Sequence, residues 1–396
     1  MFSYKEVLQK FTEIYSENCL VVKSPGRINL LGEHVDYNDG FVMPASINFS
    51  TVFCIAEASD GITEIFSMKY NEFHIVQLDL QNISPVAEPG WANYLLGVLH
   101  QLVKEGFPVK PFKCVFGGNI PLGAGLSSSA SIECGFAYAL NELYELRIEK
   151  IRLIKMAQWA EHNYVGVKCG IMDQFASMMG DDDKVIVLDC QSLDYDYSPL
   201  QLTQHSLVLC DTKVKHSLVD SEYNKRRAEC EEGLKLLSEI FPFVKSFRDV
   251  TQTMLVAFRS SFPPGVFQRC LYVVQEINRV QDAKEDLRNL KLEEFGKKMF
   301  ETHEGLSRLY EVSCPELDFL VNEARQFSGV VGSRMMGGGF GGCTINIVEN
   351  NCIKDFIDTT SVNYRNAFGK PLVTYKVSIE KGTHVIDLPL DILKTK

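Results

Sequence analysis

The sequence predicts an α+β protein built from more than one domain. Three short stretches rich in β-branched and aromatic residues, separated by turn residues, predict an antiparallel sheet: 52–57, 64–68 and 73–78. Apolar residues at helical spacing predict helices over 91–104 and through most of 267–310, with the charges of the latter on a solvated face. A chain of 396 residues has room for two or three domains and a substantial core.

Composition and charge exclude several classes of function. Hydrophobic residues make up 45% of the chain and charged residues 23%, which is typical of a soluble globular protein. The net charge of −11 disfavours partners such as nucleic acid or an anionic membrane surface. The chain shows no signal-peptide pattern or spanning apolar run, and its twelve cysteines form no C-x-x-C pair. We therefore expect a cytoplasmic protein with reduced thiols.

A glycine- and serine-rich stretch at 119–133 is the first candidate site. It follows a predicted strand and opens a predicted helix that continues to about Tyr144. Unpaired N–H groups and the positive end of the helix dipole favour an anion at such a junction. Its glycines would admit a phosphate and its serines would cap the helix, donate to phosphate or bind a cation: Gly123, Gly125, Ser127, Ser128 and Ser129. Taken alone, the pattern is also that of an ordinary turn and cap, and it lacks the lysine of a P-loop.

A second stretch, residues 24–40, holds many polar side chains between two apolar strands. Glu33, His34 and Asp36 form an acceptor-rich cluster suited to several hydroxyls at once, as in a sugar. Arg27 is suited to a carboxylate or a phosphate. The alternative is a loop held by internal salt bridges, but so many polar groups would then compete for few partners.

Two further stretches complete the candidates. Asp173 falls at the start of a short predicted helix in an apolar setting, where it is either a catalytic group or a helix-start salt bridge. Five glycines within 337–342 predict a tight loop with several positive-φ positions that leads into a strand. Trp91 and Tyr94 lie on one helix face, and their spacing alone favours a packing role.

Four sequence blocks, in the order in which they occur along the chain, resemble motifs of the superfamily of galactose, homoserine, mevalonate and phosphomevalonate kinases. Residues 26–40 are similar to the galactokinase signature, with Val35 where threonine is usual. Residues 121–131 resemble the phosphate-loop motif, and 337–343 the third motif. Residues 169–175 are similar to the segment that carries the catalytic aspartate. The resemblance implies a two-domain kinase fold with mixed and antiparallel sheets flanked by helices and an active site in the interdomain cleft.

The resemblance also implies ATP and Mg²⁺ as partners in the phosphorylation of D-galactose at C1. It implies that Asp173 is the catalytic carboxylate and Arg27 its partner. Sugar hydroxyls would contact a set of five residues: Glu33, His34, Asp36, Gly170 and Tyr223. The nucleotide would contact the phosphate loop and three residues near the base: Gly123, Ala124, Gly125, Leu126, Ser127, Ser128, Ser129, Ser67, Trp91 and Tyr94. Ser129 and Glu161 would bind the metal.

The predicted domain division places residues 24–40 (the sugar loop), residues 121–131 (the phosphate loop) and Asp173 in residues 1–200. Residues 201–396 would carry the glycine-rich motif, with the last strand able to pack on the first domain. We expect a monomer. Two alternatives are a kinase for a related sugar such as N-acetylgalactosamine and a non-catalytic sensor of galactose and ATP. The intact Ser127 to Ser131 run and the presence of Asp173 favour the enzyme.

Overall fold

The computed structural model describes residues 3–15, 18–214 and 219–388. The helices are, in chain order, α1 Tyr4–Ile14, α2 Ala92–Lys104, α3 Ser128–Leu143, α4 Lys150–Ala160, α5 Met172–Met179, α6 Val219–Ile240, α7 Gln252–Ala257, α8 Pro264–Arg288, α9 Leu292–Arg308, α10 Pro315–Gln326 and α11 Ile353–Phe368. The strands are β1 Leu20–Asn29, β2 Phe41–Val42, β3 Pro44–Glu57, β4 Thr63–Ser67, β5 Glu72–Val76, β6 Phe112–Gly118, β7 Lys184–Asp189, β8 Tyr195–Pro199, β9 His205–Asp211, β10 Val330–Met335, β11 Cys343–Glu349, β12 Val373–Val377 and β13 His384–Val385. No helix in the described ranges is long and apolar enough to cross a membrane.

A six-stranded sheet with the order β13-β1-β3-β6-β4-β5 carries the first half of the site. Both of its faces are covered, because α3 packs on β1 and β3 while α1 packs on β3 and β6. Side chains of β3 alternate accordingly, with Phe53 against Phe136 of α3 and Cys54 in the cluster with Val7 and Phe11 of α1. The register of β1 against β3 shifts between Pro25 and Arg27. Directly after this shift, the Arg27 N–H donates to Leu126 O of the phosphate loop.

A four-stranded sheet, β10-β11-β9-β12, carries the glycine-rich loop. It is antiparallel throughout, and the loop joins β10 to β11 as a hairpin connection. A three-stranded sheet, β2-β7-β8, lies next to the sugar loop. The last described strand, β13, pairs with β1, with Val385 opposite Val22, whereas the strand before it, β12, pairs with β9.

Several predicted elements need correction. Strand β1 continues to Asn29, so Arg27 lies on a strand and not in a loop. The polar segment 195–199 breaks the pattern of strands and helices in the sequence, yet it is a strand paired with β7. The charges of 267–310 do not all face solvent, since Arg269 and Glu276 are buried and paired. The sequence also predicts a helix from about Ser217 to Glu239; its predicted start lies outside the described residues, and α6 is described from Val219.

Candidate active site

Arg27 and Asp173 form the centre of the site. Arg27 Nε donates to Asp173 Oδ1 at 2.7 Å and Nη2 donates to Oδ2 at 2.8 Å. Arg27 lies near the end of β1 and Asp173 in the first turn of α5, so two elements far apart in sequence meet here. Burial alone would lower the pKa of Arg27, but the charges of Asp173 and Glu33 outweigh it and raise that pKa. Arg27 is a permanent cation beside a carboxylate that is a quarter exposed.

The phosphate loop wraps around the same arginine. Arg27 Nη1 donates to the Gly125 carbonyl at 2.5 Å, and its backbone N–H donates to Leu126 O at 3.2 Å. Gly123 and Gly125 both have φ of +74°, which glycine adopts without steric cost. Ser127 precedes α3 but does not cap it, because its hydroxyl donates to Asp173. The first N–H groups of α3 therefore lack a side-chain cap from Ser127, as an anion site requires.

A pocket of about 130 Å³ opens beside this pair. Its lining includes the predicted sugar residues with the exception of Gly170: Arg27, Glu33, His34, Asp36, Glu161, Val167, Cys169, Met172, Asp173, Tyr223, Gly337 and Gly338. A larger cavity of about 600 Å³ lies elsewhere, near residues 199–207 and 376–379. The smaller pocket is the better candidate, because the Arg27–Asp173 pair and the buried polar side chains of Glu33 and His34 line it.

His34 enters the pocket as a neutral imidazole. Its backbone is left-handed, with φ of +62°, and Nδ1 lies 2.8 Å from the Tyr37 hydroxyl. The ring packs against Tyr223 and Tyr310, with ring centroids 5.2 and 4.9 Å away. Burial lowers the pKa of His34 to about 4. The Gly338 backbone, which lines the same pocket, also hydrogen-bonds the ring.

Gly170 shapes the pocket by making room for Asp36. A β-carbon at position 170 would lie 1.9 Å from Asp36 Oδ2, so only glycine allows this approach. The Asp36 carboxylate accepts from the backbone N–H groups of Tyr37 and Met172. Burial, followed by the negative charges of Asp173 and Glu33, raises the pKa of Asp36 to about 7.

Glu33 lines the pocket and is also tied to the protein. Its Oε2 accepts from Asn29 Nδ2 and from Arg334 Nη2, each at 2.5 Å, and its Oε1 accepts from the Gly337 N–H at 2.6 Å. Glu33 was predicted only as a ligand for sugar hydroxyls. The structure adds that it joins the sugar loop to the glycine-rich loop.

Two further carboxyl groups, those of Glu161 and Glu133, lie close to Asp173. Glu161, at the end of α4, hydrogen-bonds Ser129 and accepts from Gln174 Nε2 at 2.7 Å. Gln174 also donates to Glu133 at 3.2 Å. Burial, with the charge of Asp173 adding to it, raises the pKa of Glu161 to about 7, and burial and Glu161 raise that of Glu133 well above its usual value. A cation would relieve this repulsion.

The side chains present fit Mg²⁺. The described residues include no cluster of three histidine, cysteine or acidic side chains arranged around one point. Ser129 and Glu161 nevertheless offer a hydroxyl and a carboxylate oxygen, and Mg²⁺ prefers one or two such ligands completed by water and phosphate oxygens.

The glycine-rich loop faces the phosphate loop across a cavity of about 420 Å³. Gly337, Gly339, Phe340, Gly341 and Gly342 all have positive φ, as the sequence predicts for this loop. At Gly339 a β-carbon would lie 2.1 Å from the Val312 carbonyl. The glycines therefore permit both the turn and its close packing, and they expose backbone to the cavity.

The residues predicted near the nucleotide base lie on β4 and at the start of α2, and Ser67 pairs with Phe116 near the end of β6. Trp91 is buried, donates from Nε1 to Glu72 at 3.1 Å and packs on Phe116. Ser67 ends β4, and its buried hydroxyl finds no partner among the described residues. Tyr94 lies one turn into α2. The packing role that spacing favoured for Trp91 is present, and a base contact for these residues stays a prediction.

Sequence reasoning missed the residues that support the site from behind. Arg334 holds Glu33, while Glu276 accepts from the Gly32 N–H at 2.8 Å and Tyr272 donates to the Glu33 carbonyl at 2.9 Å. They come from the second half of the chain, and no local pattern marks them. The position of Glu133 near the site was predictable, because it lies four residues after Ser129 on the same helix face.

Comparisons with known proteins show the family to which the chain belongs. The galactokinase galactose-binding signature matches residues 9–57. The N-terminal and C-terminal domains of GHMP kinases match residues 93–181 and 283–351. A galactokinase of Clostridium acetobutylicum is 38% identical over 384 residues, covering 96% of this chain and 98% of its own. A galactokinase of Thermotoga petrophila is 40% identical over 365 residues, covering 92% and 99%.

Solved structures give the same assignment. The Lactococcus lactis galactokinase, solved with galactose, superposes with a TM-score of 0.92 at 32% identity and covers 96% of this chain and 99% of its own. A mevalonate kinase superposes at 0.63 with 19% identity, covering 91% and 99%, and so shares the fold. The predicted two-domain kinase architecture is thereby confirmed as a fold class, and the chain belongs to the galactokinase family within the GHMP kinases.

Proposed function

We propose that this protein transfers the γ-phosphoryl group of ATP to the C1 hydroxyl of D-galactose, giving galactose 1-phosphate and ADP. The observation that carries the proposal is the Arg27–Asp173 pair, which lies between a pocket of about 130 Å³ and the phosphate loop. The galactose-binding signature covers Arg27 and the 33–36 cluster. The relatives named above support galactose as the sugar.

Asp173 aligns the reacting hydroxyl in this proposal. The carboxylate accepts a hydrogen bond from the C1 hydroxyl and takes its proton as the new O–P bond forms and the bond to the ADP oxygen breaks. Arg27 holds Asp173 in two hydrogen bonds and places positive charge next to the transferring group. The neutral His34, together with Glu33, Asp36, Gly170 and Tyr223, binds the remaining sugar hydroxyls.

The nucleotide occupies the cavity between the two glycine loops. Backbone N–H groups from Gly123 to Ser129 and the start of α3 bind its phosphates, and Ser67, Trp91 and Tyr94 lie near its base. Ser129 and Glu161 would hold Mg²⁺, which would neutralise phosphate charge when bound. Support for this role comes from their mutual hydrogen bond and from the closely spaced carboxyl groups around them.

The remaining assignments are also proposals. We infer a monomer that acts in the cytoplasm, which the net charge of −11 and twelve free cysteines support. We infer a division into residues 1–200 and 201–396, with the Arg334–Glu33 contact bridging the two. Light scattering at working concentrations tests the monomer, and limited proteolysis near residue 200 tests the division.

Release of ADP, measured with ATP and Mg²⁺ against a panel of acceptors, tests the function. The panel is D-galactose, N-acetylgalactosamine, glucose and mevalonate, and we expect turnover on galactose alone. Turnover on N-acetylgalactosamine in place of galactose would leave the phosphoryl-transfer chemistry unchanged. It would mean that residues 33–40 select a different sugar. Galactose binding without turnover on any acceptor would identify a sensor instead of an enzyme.

A further inference from the structure

Arg334 is a fully buried cation with no part in the proposed chemistry. It lies on β10, and its guanidinium donates from Nε to the Leu30 carbonyl at 2.8 Å and from Nη1 to the Met335 carbonyl at 2.9 Å. Nη2 donates to the Asn29 carbonyl and to Glu33 Oε2, both at 2.5 Å. A guanidinium with four acceptors in fixed directions fixes the end of β1 and the Glu33 side chain together.

The Glu33 carboxylate accepts hydrogen bonds both from the end of β1 and from the glycine-rich loop. An ionised carboxylate has about four acceptor positions. Three are occupied, by Arg334, by Asn29 and by the Gly337 N–H. Glu33 also lines the sugar pocket, so the position that remains is available to a hydroxyl there. The Glu33 side chain therefore contacts the glycine-rich loop directly and is also placed to contact a bound sugar directly.

Gly337 connects this carboxylate to the phosphate cavity. It begins the loop of glycines, and its next neighbour, Gly338, lines both the sugar pocket and the phosphate cavity. A β-carbon at Gly337 would lie 3.5 Å from Gly125 of the phosphate loop, so the two loops are in contact. The position of the Gly337 N–H consequently affects the shape of the phosphate cavity.

We propose that Arg334 and Glu33 are a positioning pair that couples the sugar pocket to the nucleotide site, so that galactose and nucleotide bind with positive cooperativity. This inference rests on the proposed function. A sugar hydroxyl that fixes Glu33 also fixes the Gly337 N–H, and the loop is then already ordered when phosphates arrive. The coupling is reciprocal, because each ligand must change the affinity of the other by the same factor.

Calorimetric titrations measure the coupling directly. The dissociation constant of Mg²⁺–ADP is determined with and without saturating galactose, and that of galactose with and without Mg²⁺–ADP. We expect the native protein to bind each ligand at least about fivefold more tightly when the other is present. In Arg334→Lys, where one ammonium cannot reach four acceptors, the ratio falls toward one. Arg269→Lys, which alters another buried arginine on α8, leaves the ratio unchanged.

A second measurement uses the native protein alone and does not depend on the folding of a variant. Galactose by itself is expected to slow amide hydrogen exchange across residues 336–342. A ratio of one in the native protein, or an undiminished ratio in Arg334→Lys, would overturn the coupling while galactose phosphorylation persists. Absence of galactose binding and turnover would instead refute the proposed function.

Discussion

Arg27 and Asp173 are joined by two parallel hydrogen bonds of 2.7 and 2.8 Å, and Ser127 of the phosphate loop donates to the same carboxylate. The arginine also holds the carbonyl of Gly125. One guanidinium thus sets the distance between the acceptor side and the donor side of the site. Phosphoryl transfer depends mainly on such alignment and on neutralising charge, so this contact is the part of the site most sensitive to change.

Replacing Asp173 by asparagine tests the carboxylate. Asparagine retains the shape but cannot accept from both Arg27 nitrogens or take a proton. We expect the turnover number to fall by a factor of about 10² to 10⁴, while galactose affinity stays within about tenfold, roughly 1.4 kcal/mol. Steady-state kinetics and calorimetric binding of galactose measure the two quantities. A near-normal turnover number would remove Asp173 from the mechanism.

The matched control is Asp189→Asn. Asp189 accepts two hydrogen bonds from Arg248, at 3.0 and 2.7 Å, in a pair of the same kind outside the pocket. The loss of that pair should lower the free energy of unfolding but leave the turnover number nearly unchanged. Equal losses of activity in the two variants would mean that disruption of an ion pair, and not the chemistry of Asp173, explains the effect.

Gly170→Ala tests the shape of the sugar pocket. A methyl group there would lie 1.9 Å from Asp36 Oδ2 and must displace that carboxylate. We expect the galactose dissociation constant to rise by about tenfold or more, with ATP affinity little changed. Gly265→Ala on α8 is the control, because a β-carbon there meets nothing within 4 Å. Unchanged galactose binding in Gly170→Ala would show that Asp36 does not contact the sugar.

Two buried glutamates give a paired test of the metal site. At pH 8 Glu161, whose pKa is raised to about 7, is mostly ionised. Glu161→Gln should therefore raise the Mg²⁺ concentration for half-maximal turnover by about tenfold or more. Glu133 accepts from Gln174 and is not one of the two proposed metal ligands, so Glu133→Gln should change that concentration little. The opposite order of effects would assign the metal to Glu133.

The sequence predicts the site better than it predicts the supports of the site. Glycines and polar residues are concentrated in three short stretches, 24–40, 119–133 and 337–342. Their chemistry can therefore be inferred from the sequence alone. The structure brings Arg27, His34, Asp36, Asp173 and Tyr223 to one pocket.

Long-range contacts were not predictable in the same way. Arg334 reaches Glu33 across 301 positions of sequence, and Glu276 reaches Gly32 across 244. Glu276 lies in a helix whose charges suggested a solvated face, and burial depends on tertiary neighbours that helical spacing does not report. Strand β8 was missed for a related reason, since its polar sequence is stabilised by pairing with β7 and by tertiary contacts such as Tyr195 with Phe175.

The buried neutral state of His34 predicts a specific dependence of stability on pH. Its pKa is lowered from 6.5 to about 4, so the unfolded chain binds a proton that the folded chain does not. This contribution to stability is present above pH 6.5 and is lost as pH falls toward 4. In urea unfolding without ligands, the native protein should lose about 2 kcal/mol more than His34→Gln between pH 7 and pH 5. Asp36 and Glu161, whose raised pKa values act in the opposite direction, remain in both proteins and cancel in the difference. A difference that does not change with pH would mean that His34 is solvated and titrates as it does in the unfolded chain.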